Sequence, residues 1–333
     1  MKAMLCEAYG PPEDMRLTDI PPLKAGPGQV VISVKACGVN FPDALMIQDK
    51  YQFKSALPFA PGGEVAGIVK EAGDGVHNLK AGDRVAATIR SGGFAEEALA
   101  EAQRCIHVPK SVDYDVASSF IVTYGTSYHA LKDRAHLKSG EKLVVLGAAG
   151  GVGIAAVELG ALMGAHVIAG ASTPEKVAFA KAHGAIDGFV YPPVPLSKDQ
   201  QKALSEEIKR LTGGEGADVL YDPVGDDYAE PALRAMAWQG RYLVIGFAAG
   251  AIPRVPLNLA LLKGCDIVGV FWGVATARNP KGAFADLEQL ARWIAEGKLK
   301  PQVSETFSLQ HAGRAIRMLM DRKALGKVVV TME

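Results

Sequence analysis

Residues 143–176 read LVVLGAAGGVGIAAVELGALMGAHVIAGASTPEK, and the fold follows from this stretch. Leu143, Val144, Val145 and Leu146 form a short continuous apolar run, the pattern of a parallel strand buried on both faces. Gly147 ends it. From Ala148 the chain runs A-x-G-x-x-G through Ala149, Gly150, Gly151, Val152 and Gly153, with alanine where a dinucleotide fingerprint often has its first glycine. Small residues are required here because the backbone turns sharply, approaches a pyrophosphate and packs the next helix tightly on the strand. Residues 154–163 read as that helix, whose N-terminus would turn unpaired N–H groups and its positive dipole end toward the phosphates. Residues 166–169 restart as a strand, so the whole fits a βαβ unit of roughly 30 residues. A tight loop in another α/β protein is the alternative. The correct flanks favour dinucleotide binding.

The end of the second strand bears on which dinucleotide. An NAD site carries a carboxylate about 20 residues beyond the first glycine, where it holds the ribose 2′-OH. This chain has Ala169, Gly170, Ala171, Ser172 and Thr173 there. No acid is present to repel a 2′-phosphate, and Lys176, one turn into the next helix, would attract one, so NADPH is expected. The alternative for Lys176 is a solvated helix residue.

Outward from this stretch, 333 residues suggest two domains at about 150 residues each. With 49% hydrophobic and 22% charged residues the composition is that of a soluble globular protein, expected in the cytoplasm. Lys+Arg and Asp+Glu are equal at 36 each, so charge makes no case for nucleic acid or an anionic membrane. The N-terminus MKAMLCEAYG has no signal-peptide pattern, and no apolar run is long enough for a membrane span. Cys6, Cys37, Cys105 and Cys265 are too scattered for a disulfide framework or a structural zinc lobe, which predicts free thiols.

Residues 1–122 show strands and Gly/Pro turns without helical rhythm, predicting a β-rich, partly open barrel. Residues 115–132 turn helical. From Leu143, LVVLG, HVIAG, GFVY, DVLYD, GRYLVIGF and CDIVGVFW are six strands separated by helical stretches, the set a doubly wound dinucleotide-binding sheet needs. Amphipathic helices are expected over 283–296 and 312–321, and a last strand over 328–331 has no place in the six. It is expected to return to the first lobe. The expected organisation is therefore 1–122, a Rossmann domain over 123–272 inserted into the first lobe, and a return over 273–333, with the site in the cleft between the domains.

At this point the chain resembles a medium-chain dehydrogenase/reductase, specifically the zinc-free quinone oxidoreductase (zeta-crystallin-like) branch. The resemblance runs along essentially the whole chain. Its carriers are Gly28-Gln29-Val30, Cys37-Gly38-Val39-Asn40-Phe41-Pro42-Asp43, Pro61-Gly62-Gly63-Glu64-Val65-Ala66-Gly67, Gly82-Asp83-Arg84-Val85, the A-x-G-x-x-G turn, Asp222-Pro223-Val224-Gly225 and Gly326-Lys327-Val328. Zinc-dependent members have a cysteine ligand where this chain has Asn40 and a histidine where it has Gly63, so no catalytic metal is expected. The resemblance implies a GroES-like first lobe and hydride delivery from NADPH to an electron-poor acceptor, a quinone. Reduction of a 2-alkenal or enoyl thioester (an α,β-unsaturated carbonyl) and a non-catalytic, crystallin-like NADPH-binding role are the alternatives.

The resemblance also implies roles for individual residues. Asn40 would face nicotinamide and acceptor, and Tyr51 would be a pocket tyrosine; the alternatives are an Asx-turn residue and an ordinary buried ring. Thr126 would reach the nicotinamide, and Tyr191 and Arg322 would join Ser172 and Lys176 around the 2′-phosphate. Gly246, Phe247 and Ala248, then Phe271, Trp272 and Gly273, fall at the carboxyl ends of strands five and six, where open sheets bind ligands. Lys327 either contacts the cofactor or is an edge-strand charge. No side chain stands out as an obligatory acid or base; Tyr51, Tyr124 and Asp43 are the candidate proton donors. A homodimer is implied, joined along CDIVGVFW, with no membrane or nucleic-acid partner.

Overall fold

The computed structural model describes residues 1–332. Its strands begin with β1 (Lys2–Leu5), β2 (Arg16–Asp19), β3 (Gln29–Val39), β4 (Glu64–Ala72), β5 (Arg84–Thr88), β6 (Glu97–Glu101) and β7 (Cys105–His107). The alternating β/α part supplies β8 (Lys142–Val145), β9 (His166–Ala171), β10 (Asp187–Val190), β11 (Ala217–Asp222), β12 (Met236–Val244) and β13 (Asp266–Gly269); β14 (Val303–Ser308) and β15 (Lys327–Thr331) follow. Packing divides the chain into two units, Met1–Val122 with the chain from Lys281 onward, and Thr123–Pro280. The return thus starts at Lys281 rather than 273. The helix Trp272–Arg278 belongs to the second unit, where the Trp272 ring packs on Gly125, a site without room for a side chain.

In the second unit all six strands are parallel, in the order β10-β9-β8-β11-β12-β13, a doubly wound Rossmann sheet. Leu143, Val144 and Val145 of β8 are fully buried, as the unbroken apolar run predicts. The fingerprint helix spans Gly151–Leu162 and so begins three residues before the predicted 154. Gly150 is its extended N-cap, and glycines carry no apolar period by which the first turn could be recognised.

The first unit is GroES-like: β14-β15-β3-β4-β5-β7 form one sheet, with β6 also paired to β3. Register shifts at Val31/Ile32 and Val34/Ala36 bend β3. Its first half then pairs with β6 and its last residues with β15. The last strand does return to this lobe, but β15 lies between β14 and β3, so Lys327 is not an edge-strand charge.

Helical expectations need two corrections. A short helix, Phe41–Met46, interrupts the β-rich lobe; Asn40 precedes it, Pro42 fits its first turn and the Asp43 carboxylate accepts the Asn40 N–H at 2.8 Å. Residues 115–132 form separate pieces, Tyr114–Ala117, Ile121–Tyr128 and the π-helical His129–Arg134. The hydroxyls of Ser118 and Ser119 donate back to the carbonyls of Asp115 and Val116 at 3.1 and 2.9 Å, local bonds that compete with helix continuation. The later helices run Pro280–Ala295 and Ala312–Met320. All four cysteines are free and buried. Among the described residues no helix is long and apolar enough to cross a membrane.

Candidate functional site

The fingerprint turn in the second unit is held from several sides. Gly147 has φ +60°, and a Cβ on Gly153 would stand 2.1 Å from the Gly147 carbonyl oxygen, so the third glycine is what lets the helix approach the turn. The Ile154 N–H closes the first intrahelical bond, to Gly150 O at 2.8 Å. The N–H groups of Gly151, Val152 and Gly153 lie ahead of it, in the first turn, where a helix offers no internal acceptor. Ser127 donates to Val152 O at 2.9 Å, and its oxygen lies 2.8 Å from the Tyr221 hydroxyl. The Gly147 N–H donates to the Tyr191 hydroxyl at 3.2 Å. Neither Ser127 nor Tyr221 carries a motif signal; only the tertiary structure brings them to the turn.

At the end of β9 the structure joins Ser172 and Lys176. Thr173 caps the helix Pro174–Ala182 by accepting the Lys176 N–H, and the Lys176 ammonium donates to Ser172 Oγ at 3.3 Å. Ser172 is exposed and Lys176 half-buried, so this hydroxyl–ammonium pair stands at the strand end where NAD enzymes carry an acid. Tyr191 is buried against Tyr228, with centroids 4.6 Å apart, and its hydroxyl serves the turn at Gly147. Arg322 lies in the first unit, exposed and with φ +57°, on the turn after the helix Ala312–Met320.

The remaining second-unit candidates sit at strand ends or on the first helix. Gly246, Phe247 and Ala248 follow β12, and the Ala248 N–H donates to Pro223 O at 3.0 Å. That loop is shaped by Asp222, whose carboxylate accepts the N–H groups of Val224 and Gly225 at 2.8 and 2.9 Å and the Tyr242 hydroxyl. Phe271 is exposed at the start of the helix that Trp272 and Gly273 begin. Thr126 is half-buried on Ile121–Tyr128. Two residues before it, Tyr124 is buried and donates to Glu158 at 2.8 Å, and the other Glu158 oxygen lies 2.7 Å from His183 Nδ1. Burial and then the Glu158 charge push the Tyr124 phenol well above its ordinary pKa, which makes it a poor proton donor.

In the first unit three strand ends converge on Asn40. Val39 ends β3, Glu64 opens β4 and Lys327 opens β15, with Val328 opposite Val39 in register. The Lys327 ammonium donates to Asn40 Oδ1 at 2.7 Å, to Val39 O at 3.0 Å and to Glu64 Oε2 at 3.3 Å. Asn40 Nδ2 donates to Glu64 Oε2 at 3.0 Å and to Gly38 O at 3.2 Å, and Glu64 Oε1 accepts the Val122 N–H at 3.1 Å. Asn40, Glu64 and Lys327 are all buried. Asp43 accepts the N–H groups of Asn40 and Gly62 at 2.8 and 2.9 Å and so holds local backbone. Burial raises its carboxyl to about 6 against those hydrogen bonds. Tyr51 is half-buried with its ring edge-on to Phe53 at 5.9 Å; burial raises its phenol. Nothing in the sequence pairs Glu64 with residue 327, so its part in this cluster is visible only in the tertiary structure.

Residues 26–110 match the alcohol dehydrogenase GroES-like domain, and 151–296 match the zinc-binding dehydrogenase model. A quinone oxidoreductase-like protein 2 homolog of Nematostella vectensis is 36% identical, the match covering 99% of this chain and 88% of the relative. The chain belongs to the medium-chain dehydrogenase/reductase family. It falls in the quinone oxidoreductase branch: quinone oxidoreductase-like protein 2 of Bos taurus is 34% identical over 100% of this chain and 93% of the relative. A mycobacterial protein complexed with NADPH superposes with TM-score 0.91 at 28% identity, covering 99% of both chains.

The zinc named by one of these models does not fit the residues present. Gly63 has no side chain to supply a ligand atom, and Asn40 Oδ1 and Glu64 Oε2 already face a buried ammonium. A divalent cation there would meet like charge and lack the three protein ligands a catalytic zinc needs.

Proposed function

We propose that the chain is an NADPH-dependent, zinc-independent quinone oxidoreductase. The observation that carries this reading is the Ser172–Lys176 pair at the end of β9, a neutral donor beside a cation where an NAD-specific site has a carboxylate. The N–H groups at 151–153 would bind the pyrophosphate, with Gly150 and Ala149 allowing close approach, and Ser172 and Lys176 would bind the 2′-phosphate. Arg322 is proposed as a further phosphate ligand; Tyr191, its hydroxyl bonded to Gly147, would act by supporting the turn. Thr126, Gly246, Phe247, Ala248, Phe271, Trp272 and Gly273 are proposed to line the rest of the nucleotide site.

NADPH, when bound, supplies a hydride. A quinone that takes up this hydride and one proton becomes the hydroquinone, leaving NADP⁺, and no Lewis acid is needed because the acceptor is already electron-poor. Asn40 is proposed to orient the reacting groups and Tyr51 to offer its ring to a planar acceptor. The proton is proposed to come from water, since Tyr124 is committed to Glu158. A homodimer is proposed along β13, the free edge of the six-stranded sheet, where Ile267 and Phe271 are exposed.

The test is oxidation of NADPH and NADH by chelator-treated protein with an ortho-quinone, a para-quinone and a 2-alkenal. Quinone-dependent NADPH oxidation that survives the chelator supports the reading. Turnover of the alkenal alone replaces it with an alkenal/enoyl reductase, and cofactor binding without any turnover replaces it with a non-catalytic NADPH-binding role.

A further inference from the structure

We infer that Asn40 meets its ligand as a hydrogen-bond acceptor, and that Lys327 and Glu64 are the positioning residues that hold it so. This rests on the proposed role of Asn40 at the reacting groups. An asparagine side chain has nearly the same shape with its oxygen and nitrogen exchanged, so its neighbours decide which atom points where. Here an ammonium, which can only donate, lies 2.7 Å from Oδ1. A carboxylate and a carbonyl, which can only accept, lie 3.0 and 3.2 Å from Nδ2. Exchanging the two atoms would set an NH2 against NH3⁺ and an oxygen against a carboxylate. One orientation is therefore fixed.

The inventory leaves little over. Nδ2 has two protons and two acceptors, and the ammonium has three protons and three acceptors. The unused capacity of the Asn40 amide is one lone pair on Oδ1. The ligand group it can receive is accordingly an N–H or O–H, such as a carboxamide N–H or a hydroxyl, and not the carbonyl oxygen of an acceptor. Stability alone does not account for the pair. Apolar residues of similar volume generally stabilise a core as well as a buried ion pair does, and a single unpaired charge is strongly unfavourable. What the pair adds is a defined orientation.

The experiment uses the full chain with asparagine side-chain 15N labelling, the Asn40 signal being assigned by its loss in Asn40→Ala. The wild type should show two separated, slowly exchanging amide protons for Asn40. Lys327→Met should speed their exchange with solvent and move their shifts toward those of a free asparagine side chain, and should lower kcat/KM with NADPH and a para-quinone by about 10-fold, the loss of one charge-assisted hydrogen bond. The same substitution in Asn40→Ala should change kcat/KM less than about 2-fold, because its effect runs through Asn40. Glu64→Gln/Lys327→Met, which leaves no unpaired buried charge, should repeat both results if the single variant does not fold. Unchanged amide protons and turnover with only a lowered melting point would overturn the inference, as would an equal loss in the Asn40→Ala background. If Asn40→Ala itself leaves turnover intact, the role of Asn40 in the reaction fails, while the amide signals still report whether the pair orients it.

Discussion

Replacing Gly153 by alanine tests the close approach on which the nucleotide-binding unit is built. The new methyl carbon would lie 2.1 Å from Gly147 O, 2.8 Å from Gly147 C and 2.9 Å from Ala148 Cα, all backbone atoms. An ordinary van der Waals contact is about 3.5 Å, so the helix and the turn must separate by more than about 1 Å. Neither side yields easily. The turn is tied by Ala148 N–H to Gly170 O at 3.1 Å and by Gly147 N–H to Tyr191 at 3.2 Å. The helix is buried from Gly153 to Gly160. Overpacking of this kind costs up to about 3 kcal/mol, and the better helix propensity of alanine returns about 1 kcal/mol, leaving a net loss of roughly 2 kcal/mol. The assay is calorimetric melting together with titration of NADPH by its fluorescence. The midpoint should fall by roughly 4 °C, and the NADPH Kd should rise at least about 10-fold as the first-turn N–H groups move. Gly150→Ala is the control: its Cβ meets only Gly147 O, at 3.4 Å, so stability should stay within about 1 kcal/mol of wild type. A Gly153→Ala protein with wild-type midpoint and wild-type NADPH affinity would refute the reasoning.

Lys176→Glu should raise the KM for NADPH roughly 10- to 100-fold, the worth of a charge-assisted hydrogen bond to phosphate, while the KM for NADH changes little; equal effects on both cofactors would remove Lys176 from the phosphate site. Asp43 should titrate with a midpoint near 6 in a carboxyl 13C experiment, because burial raises it; a midpoint near the ordinary 3.9 would contradict its desolvation. Since its folded pKa exceeds its unfolded one, its stabilising contribution is complete below about pH 4 and is lost as the pH rises through about 6. Ile267→Lys, on the free edge strand, should convert a dimer to a monomer in sedimentation velocity, and a wild type that sediments as a monomer at micromolar concentration would dispose of that interface.

Much of the second unit was legible because its signals are local. Six apolar-rich runs became the six strands β8–β13, most clearly in the central β8, whose Leu143, Val144 and Val145 are covered on both faces. The glycine spacing located the turn, and the missing acid after β9 pointed to Ser172 and Lys176, which lie four residues apart on one turn and do meet. Helix starts were less legible. Gly151 begins a helix that has no apolar residue in its first position, and the stretch near Ser118 and Ser119 breaks where side chains bond their own backbone.

By itself the sequence determined the βαβ nucleotide unit, because that depends on residue type at short spacing; the loss of two zinc-ligand positions at Asn40 and Gly63 was legible only through the resemblance to the family, and the return of the last strand only because six strands already filled the second unit. Only the tertiary structure decided what Lys327 does. It is 263 residues from Glu64 and 287 from Asn40 along the chain, and β15 had to insert between β14 and β3 before the three side chains could meet. The same holds for Tyr191, which the resemblance to the family associates with the 2′-phosphate and whose hydroxyl accepts the Gly147 N–H at 3.2 Å, a bond no local pattern announces. Periodicity and spacing record what a segment does with its own neighbours in sequence. Hydrogen-bond partners brought together by strand pairing leave no such mark, so their roles become visible only once the strands are in register.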